Sequence, residues 1–274
     1  MSILRLASSR RWLGWLGLTT LFALVCVGLA QWQWQRRLEA VAEIRVVAAN
    51  WDAAPVPLEE VLPDSEPLDP SLEWQPVMLE GEYLLDEQLL VRARPLKGRP
   101  GFEVLTPLLL DDGRVFVVDR GWLPVGSQQD SPDVVPDPPT GRVEILVRLK
   151  PGEPTIAGRG APEGQIATIH LPDIAERLKP GEVVTGAYGL LDSESPAPST
   201  RPVAAARPAP DEGPHLSYTF QWYLFGLLGF IGYGWALRTE HRRMLDTAAG
   251  GPVSAPSRRR ASDAEEEDSL LERR

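Results

Sequence analysis

Arg142-Val143-Glu144-Ile145-Leu146-Val147-Arg148-Leu149-Lys150 places Val143, Ile145, Val147 and Leu149 at every second position, with mostly charged residues between them. Successive side chains of a strand point to opposite faces, so this spacing reads as a half-buried β-strand. The same period appears on the N-terminal side. Val77, Leu79, Gly81 and Tyr83 alternate after Trp74, and short β-like runs follow from Gln88 to Arg94, Phe102 to Leu110 and Arg114 to Asp119, with Asp111-Asp112-Gly113 as a hairpin turn. On the C-terminal side, Gln165 to His170 and Val183 to Leu191 are further strand candidates. Leu171 to Leu178 between them reads as a short helix with Pro172 in its first turn. Short strands with one small helix imply a mainly β domain, an antiparallel barrel or sandwich. A parallel nucleotide-binding sheet would need regular alternation with long helices, which the sequence lacks.

Two long apolar runs flank this region. The first extends from Trp12 to Gln35 and the second from Leu216 to Leu237. Each is long enough to cross a hydrocarbon core of roughly 30 Å as a helix. Arg5, Arg10 and Arg11 precede the first, and Arg238, Arg242 and Arg243 follow the second, which places both termini in the cytoplasm and the β-rich middle outside. Arg36 and Arg37 pull the other way. A cleaved signal peptide is the alternative for the first run, with Gly28 and Ala30 as small residues near a cleavage site. The length of the run, and Trp32 and Trp34 at its end, favour a retained anchor.

The chain then divides into a cytoplasmic N-terminus (1–11), a first transmembrane helix (12–35), a helical extension and proline-rich connector (36–70) and an extracytoplasmic β-rich domain (71–192). A Pro/Ala-rich linker (193–214), a second transmembrane helix (215–237) and a largely disordered cytoplasmic tail (238–274) follow. The net charge of −10 argues against nucleic acid as a partner. The single cysteine, Cys26, lies inside the first run, so one chain builds neither a disulfide nor a thiolate metal site. No nucleophile elbow, His-Glu-x-x-His, phosphate loop or Cys-x-x-Cys is present, and the reading is not of an enzyme.

His215, at the start of the second run, is the first candidate for chemistry. A neutral imidazole is an axial ligand for haem iron, and the bilayer edge suits an amphipathic macrocycle. An interfacial histidine bonded to water satisfies the same sequence. At 3.6 residues per turn, Tyr218, Thr219, Trp222, Gly226, Gly229 and Tyr233 share its face. The glycines there admit either a flat ring or a closely packed second helix. Trp32 and Arg36 leave the first run at the same membrane face, where they flank a ring and pair with carboxylates, or simply form an aromatic belt with interfacial cations. Asp119-Arg120-Gly121-Trp122-Leu123-Pro124 reads as a strand closing at a turn, with Arg120 tying down loop carbonyls.

Four blocks together carry a family resemblance: Trp32-Gln33-Trp34-Gln35-Arg36; Trp74 to Tyr83 with Gly81-Glu82-Tyr83; Leu105-Thr106-Pro107-Leu108 followed by Val118 to Pro124; and His215-Leu216-Ser217-Tyr218-Thr219-Phe220-Gln221-Trp222-Tyr223. The chain resembles the Surfeit locus protein 1 family, inner-membrane assembly factors for cytochrome c oxidase. The resemblance implies a multi-pass protein of the cell inner (plasma) membrane, in contact with lipid. Its partners would be the oxidase catalytic subunit and other assembly factors. It further implies haem a as cofactor, with His215 on the iron; the helical face of His215 and the end of the first run would then put Trp222, Tyr218, Arg36 and Trp32 around the ring. A scaffold that holds an assembly intermediate without haem is the alternative. Copper delivery fits poorly, because no cysteine or methionine pair lies outside the apolar runs. The Pro/Ala-rich linker and the long tail depart from the family pattern.

Overall fold

The computed structural model describes residues 2–63, 66–178 and 181–249. From residue 250 on, the proposed tail lies outside them. The chain separates into a helical unit, built from the segments before Glu39 and after Glu212, and a β-rich unit, Glu39–Glu212.

In the β-rich unit the strands are β1 (Val56–Pro57), β2 (Pro76–Tyr83), β3 (Leu89–Val91), β4 (Gly101–Leu110), β5 (Arg114–Pro124), β6 (Arg142–Lys150), β7 (Gln165–Ile166), β8 (Glu182–Val183) and β9 (Tyr188–Ser195). The order β2-β6-β9-β5-β4 returns to its start because β2 pairs with both β6 and β4. The sheet therefore closes into a barrel, antiparallel at every seam except β5–β9. Closure removes the exposed strand edges that an open sheet would carry.

The pattern of β6 is realised residue by residue: Val143, Ile145, Val147 and Leu149 are buried, and they meet Val77, Leu79, Leu108, Phe116 and Val118 in the barrel interior. Each such side chain contributes roughly 1.5–3 kcal/mol by leaving water. A second core lies on the outer side of β4 and β5. There Leu171 and Ile174 of a short helix (Leu171–Arg177) join Val115, Val117, Leu105 and Leu190. β5 is thus covered on both faces, which is why Val115 to Val118 are four consecutive apolar residues rather than alternating. His170 precedes this helix, and its Nδ1 lies 2.9 Å from Asp173 Oδ1, a local structural contact.

Two segments differ from the sequence reading. Asp119 to Pro124 is not a turn but the continuation of β5 through a bulge: Glu103 opposes Trp122 and Leu105 opposes Asp119, so the β5 side holds one residue more. The stretch after Leu191 is not free of the sheet either. β9 runs on to Ser195, and Val203 exchanges two backbone hydrogen bonds with Trp122, at 2.8 and 2.9 Å. The Trp122 N–H, on the edge of β5 that pairs with β9 only as far as Asp119, finds its acceptor in this strap, which a side-chain period does not reveal.

Two long helices, Arg10–Asn50 and His215–Ala248, supply the helical unit; the first continues into the β-rich unit. The Arg10–Asn50 helix spans 41 residues, about 60 Å at 1.5 Å per residue. Among the described residues it is the one helix long and apolar enough, by length and composition, to cross a membrane. The His215–Ala248 helix has the length, but Gln221, its tyrosines and tryptophans and its glycines dilute its apolar character. It continues beyond Leu237 through a charged stretch.

Candidate functional site

His215 opens the second long helix, with Pro214 at the cap position. Its backbone carbonyl accepts from Thr219 Oγ1 at 2.9 Å, and Ser217 Oγ donates to Pro214 O at 2.7 Å. These bonds fix the first turn. The imidazole is half-buried, and its Nδ1 lies 2.8 Å from Gln33 Oε1 of the first helix. An amide oxygen only accepts, so Nδ1 carries the proton, and in the neutral ring Nε2 then keeps its lone pair. A partner on one ring nitrogen that sets the tautomer of the other is the usual support for a metal-ligating histidine. This donor set fits an axial ligand to haem iron.

Two turns further along, Gln31 Nε2 donates to Tyr223 Oη at 2.7 Å. Deeper in the pair, the glycines serve helix packing. A Cβ at Gly226 would lie 3.5 Å from Cys26 Cβ and 3.7 Å from Ala23 Cα, and one at Gly229 would lie 3.3 Å from Phe22 Cδ1. Small residues here let two helices come together, and their surface is already filled. Of the remaining predicted site residues, Trp222 packs edge-to-face on Phe225 with centroids 5.8 Å apart. Tyr218, Trp32 and Arg36 are exposed.

The β-rich unit carries two buried polar clusters. In one, Arg120 Nη1 donates to Pro136 O at 2.8 Å and Nη2 lies 3.6 Å from Glu194 Oε1, while Glu194 Oε2 accepts from Tyr83 Oη at 3.0 Å. Burial, and then the Glu194 charge, push the Tyr83 pKa up. In the other, Arg94 pairs with Glu103 at 3.0 Å and with Glu153 at 2.5 Å. Trp122 Nε1 donates to the Arg94 carbonyl at 2.7 Å. Asp119 stands by this pair, accepting from Gly121 N at 2.9 Å. Burial, reinforced by the Glu103 charge, pushes its pKa up to about 8. Among the described residues no group of three or more His, Cys, Asp or Glu is arranged to hold a metal ion.

The Asp119 shift has a defined consequence for stability. Its folded pKa of about 8 exceeds the ordinary 3.8, so between those values the folded chain holds a proton that the unfolded chain releases. Stability from this group is full below the lower value, declines as pH rises through the interval and is flat above the upper one. We expect Asp119→Asn to flatten the decline of the denaturation midpoint between about pH 5 and 8. Parallel wild-type and variant curves would show that Asp119 does not titrate there.

The model of the SURF1 family matches residues 20–227, a span that takes in the barrel, the strap and His215. The chain belongs to the SURF1 family. It is 33% identical over 249 residues to uncharacterised SURF1-like proteins of Mycobacterium bovis and Mycobacterium tuberculosis, covering 87% of this chain and 89% of each relative. It is also 27% identical over 124 residues to the cytochrome oxidase assembly protein SHY1 of Saccharomyces cerevisiae, covering 43% of this chain and 30% of that protein.

Within this SURF1 chain, Gln33 and Gln31 were not singled out from sequence. The available signal was their chemistry: amides in an apolar helix need partners, and polar residues inside membrane-type helices face a neighbouring helix. Glu194 lies past Leu191, where the apolar run of β9 ends, so the strand pattern does not point to it.

Proposed function

We propose that this chain is a membrane-anchored, non-enzymatic assembly factor for cytochrome c oxidase, and that His215 binds haem a. The observation that carries the haem reading is the His215–Gln33 hydrogen bond, which fixes the imidazole with Nε2 available as a ligand. The relationship to the yeast assembly protein supports the oxidase as client. Both long helices cross the plasma membrane in this reading, with the termini cytoplasmic and the barrel outside. The arginines before the first apolar run and after the second support that orientation.

When bound, haem iron supplies a coordination position that a neutral imidazole fills. The chain does the rest. Gln33 holds the ring tautomer, Trp32, Trp222 and Tyr218 offer aromatic surface for an apolar macrocycle, and Arg36 offers a cation for its carboxylates. The oxidase catalytic subunit is the recipient, with other assembly factors on the same client.

His215→Ala, expressed in a host that makes haem a, tests the assignment. We expect loss of the haem absorption of the purified protein together with reduced oxidase activity, and Gln33→Ala to weaken haem binding by roughly tenfold, the upper effect of removing a tautomer-fixing partner being about a hundredfold. Unchanged bound haem in His215→Ala would overturn the ligand assignment and leave the scaffold reading. Normal oxidase in a deletion strain would overturn both.

A further inference from the structure

A cavity of about 470 Å³ lies in the helical unit, between the start of the Arg10–Asn50 helix and the later half of the His215–Ala248 helix. It is far along the chain from His215, and its chemistry differs. Trp12, Trp15, Tyr233 and Trp235 supply aromatic walls, and Arg11 and Arg243 supply cations at its rim. Trp12 and Tyr233 are locked edge-to-face with centroids 5.5 Å apart, and Tyr233 Oη donates to the Trp12 carbonyl at 3.4 Å. Trp12 is 5% exposed, and its indole N–H is buried without a hydrogen-bond partner among the described residues.

Charge decides which ligand. The lining holds two arginines and one acid, Glu240, which is bonded to Arg11 at 3.1 Å. Arg10, Arg238 and Arg242 lie close by in sequence and add to the positive field. Trp15 and Trp235 are 52% and 69% exposed, a large aromatic surface beside cations. Indoles with arginines at the end of an apolar helix match the boundary between acyl chains and headgroups. We infer that this cavity binds the headgroup of an anionic phospholipid, with the phosphate between Arg11 and Arg243 and the acyl chains against Trp15 and Trp235. The inference rests on the reading of Arg10–Asn50 as a membrane span, and on nothing concerning haem.

The full chain, purified in neutral detergent, is titrated with phosphatidylglycerol, phosphatidylcholine or inorganic phosphate, and bound lipid is read by native mass spectrometry. We expect phosphatidylglycerol to bind in preference to phosphatidylcholine and inorganic phosphate to leave the binding unchanged. The double variant Arg11→Gln/Arg243→Gln should lose roughly tenfold in affinity, the scale of charge-assisted hydrogen bonds to phosphate. Glu240→Gln, which frees Arg11, should strengthen it. Equal binding of the two lipids, a preference that survives the double variant, or competition by inorganic phosphate would overturn the site. Extraction of the chain from membranes by alkaline carbonate would instead overturn the span, so the two failures are distinguishable.

Discussion

Arg120→Ala is expected to remove much of the stability of the β-rich unit. Arg120 is 1% exposed and lies in β5, where the barrel interior meets the strap. Its guanidinium holds the Pro136 carbonyl, faces Glu194 at 3.6 Å and sits 5.7 Å from the centre of the Tyr83 ring. Glu194 is itself 8% exposed, and its other oxygen is occupied by Tyr83. Truncating the arginine leaves a buried carboxylate with one neutral donor and no cation. Breaking a buried pair in this way costs roughly 3–5 kcal/mol, against a total of about 5–15 kcal/mol for an ordinary domain. Chemical denaturation followed by tryptophan fluorescence measures it. Arg120→Met combined with Glu194→Gln should recover most of the loss, because both charges leave together and the desolvation cost goes with them. A single-variant loss below about 1 kcal/mol would mean that the pair is solvated in solution.

The Arg120–Glu194 pair also marks where sequence reading stops. Within one strand, period is local information: β6 could be bounded at Arg142 and Lys150 from alternation alone, and the short helix after His170 from Pro172 and its apolar spacing. A mainly β body with one small helix follows from such segments. Whether the sheet closes does not, because closure depends on Gly81, Glu82 and Tyr83 of β2 meeting Leu110, Leu109 and Leu108 of β4, and on which strands share seams. The sequence ends β5 at Asp119, because Arg-Gly looks like an exit, although the strand continues to Pro124. The neighbours that permit this, Glu194 and Val203, belong to a segment whose proline and alanine content suggests an undocked linker. Site residues follow the same rule. The chemistry of His215 was legible as a residue type at a helix start, whereas its partner Gln33 is fixed by helix pairing across 182 positions of sequence.

The bulge at Gly121 gives the second large effect. Its φ of +124° is a conformation that side-chain-bearing residues rarely adopt, and a Cβ there would lie 2.5 Å from the Val203 carbonyl oxygen. Gly121→Val therefore meets two costs of different origin: roughly 1–3 kcal/mol from the backbone conformation and roughly 1–3 kcal/mol from forced displacement of packed neighbours. Gly113 separates them, since its φ is +86° but a Cβ there meets open space. Gly113→Ala should show only the backbone part, and Gly121→Ala should exceed it. The overlap is relieved most directly by moving Val203 away, which breaks both hydrogen bonds to Trp122 and loosens the strap that carries Val203-Ala204-Ala205-Ala206. Elastase, which cuts after small aliphatic residues, should then cleave within Val203-Ala204-Ala205-Ala206 in Gly121→Val at concentrations that leave the wild-type chain whole, because proteolysis follows the population of the open segment. Equal stability of Gly113→Ala and Gly121→Ala, with no new cleavage in Gly121→Val, would show that Val203 does not hold this position against β5.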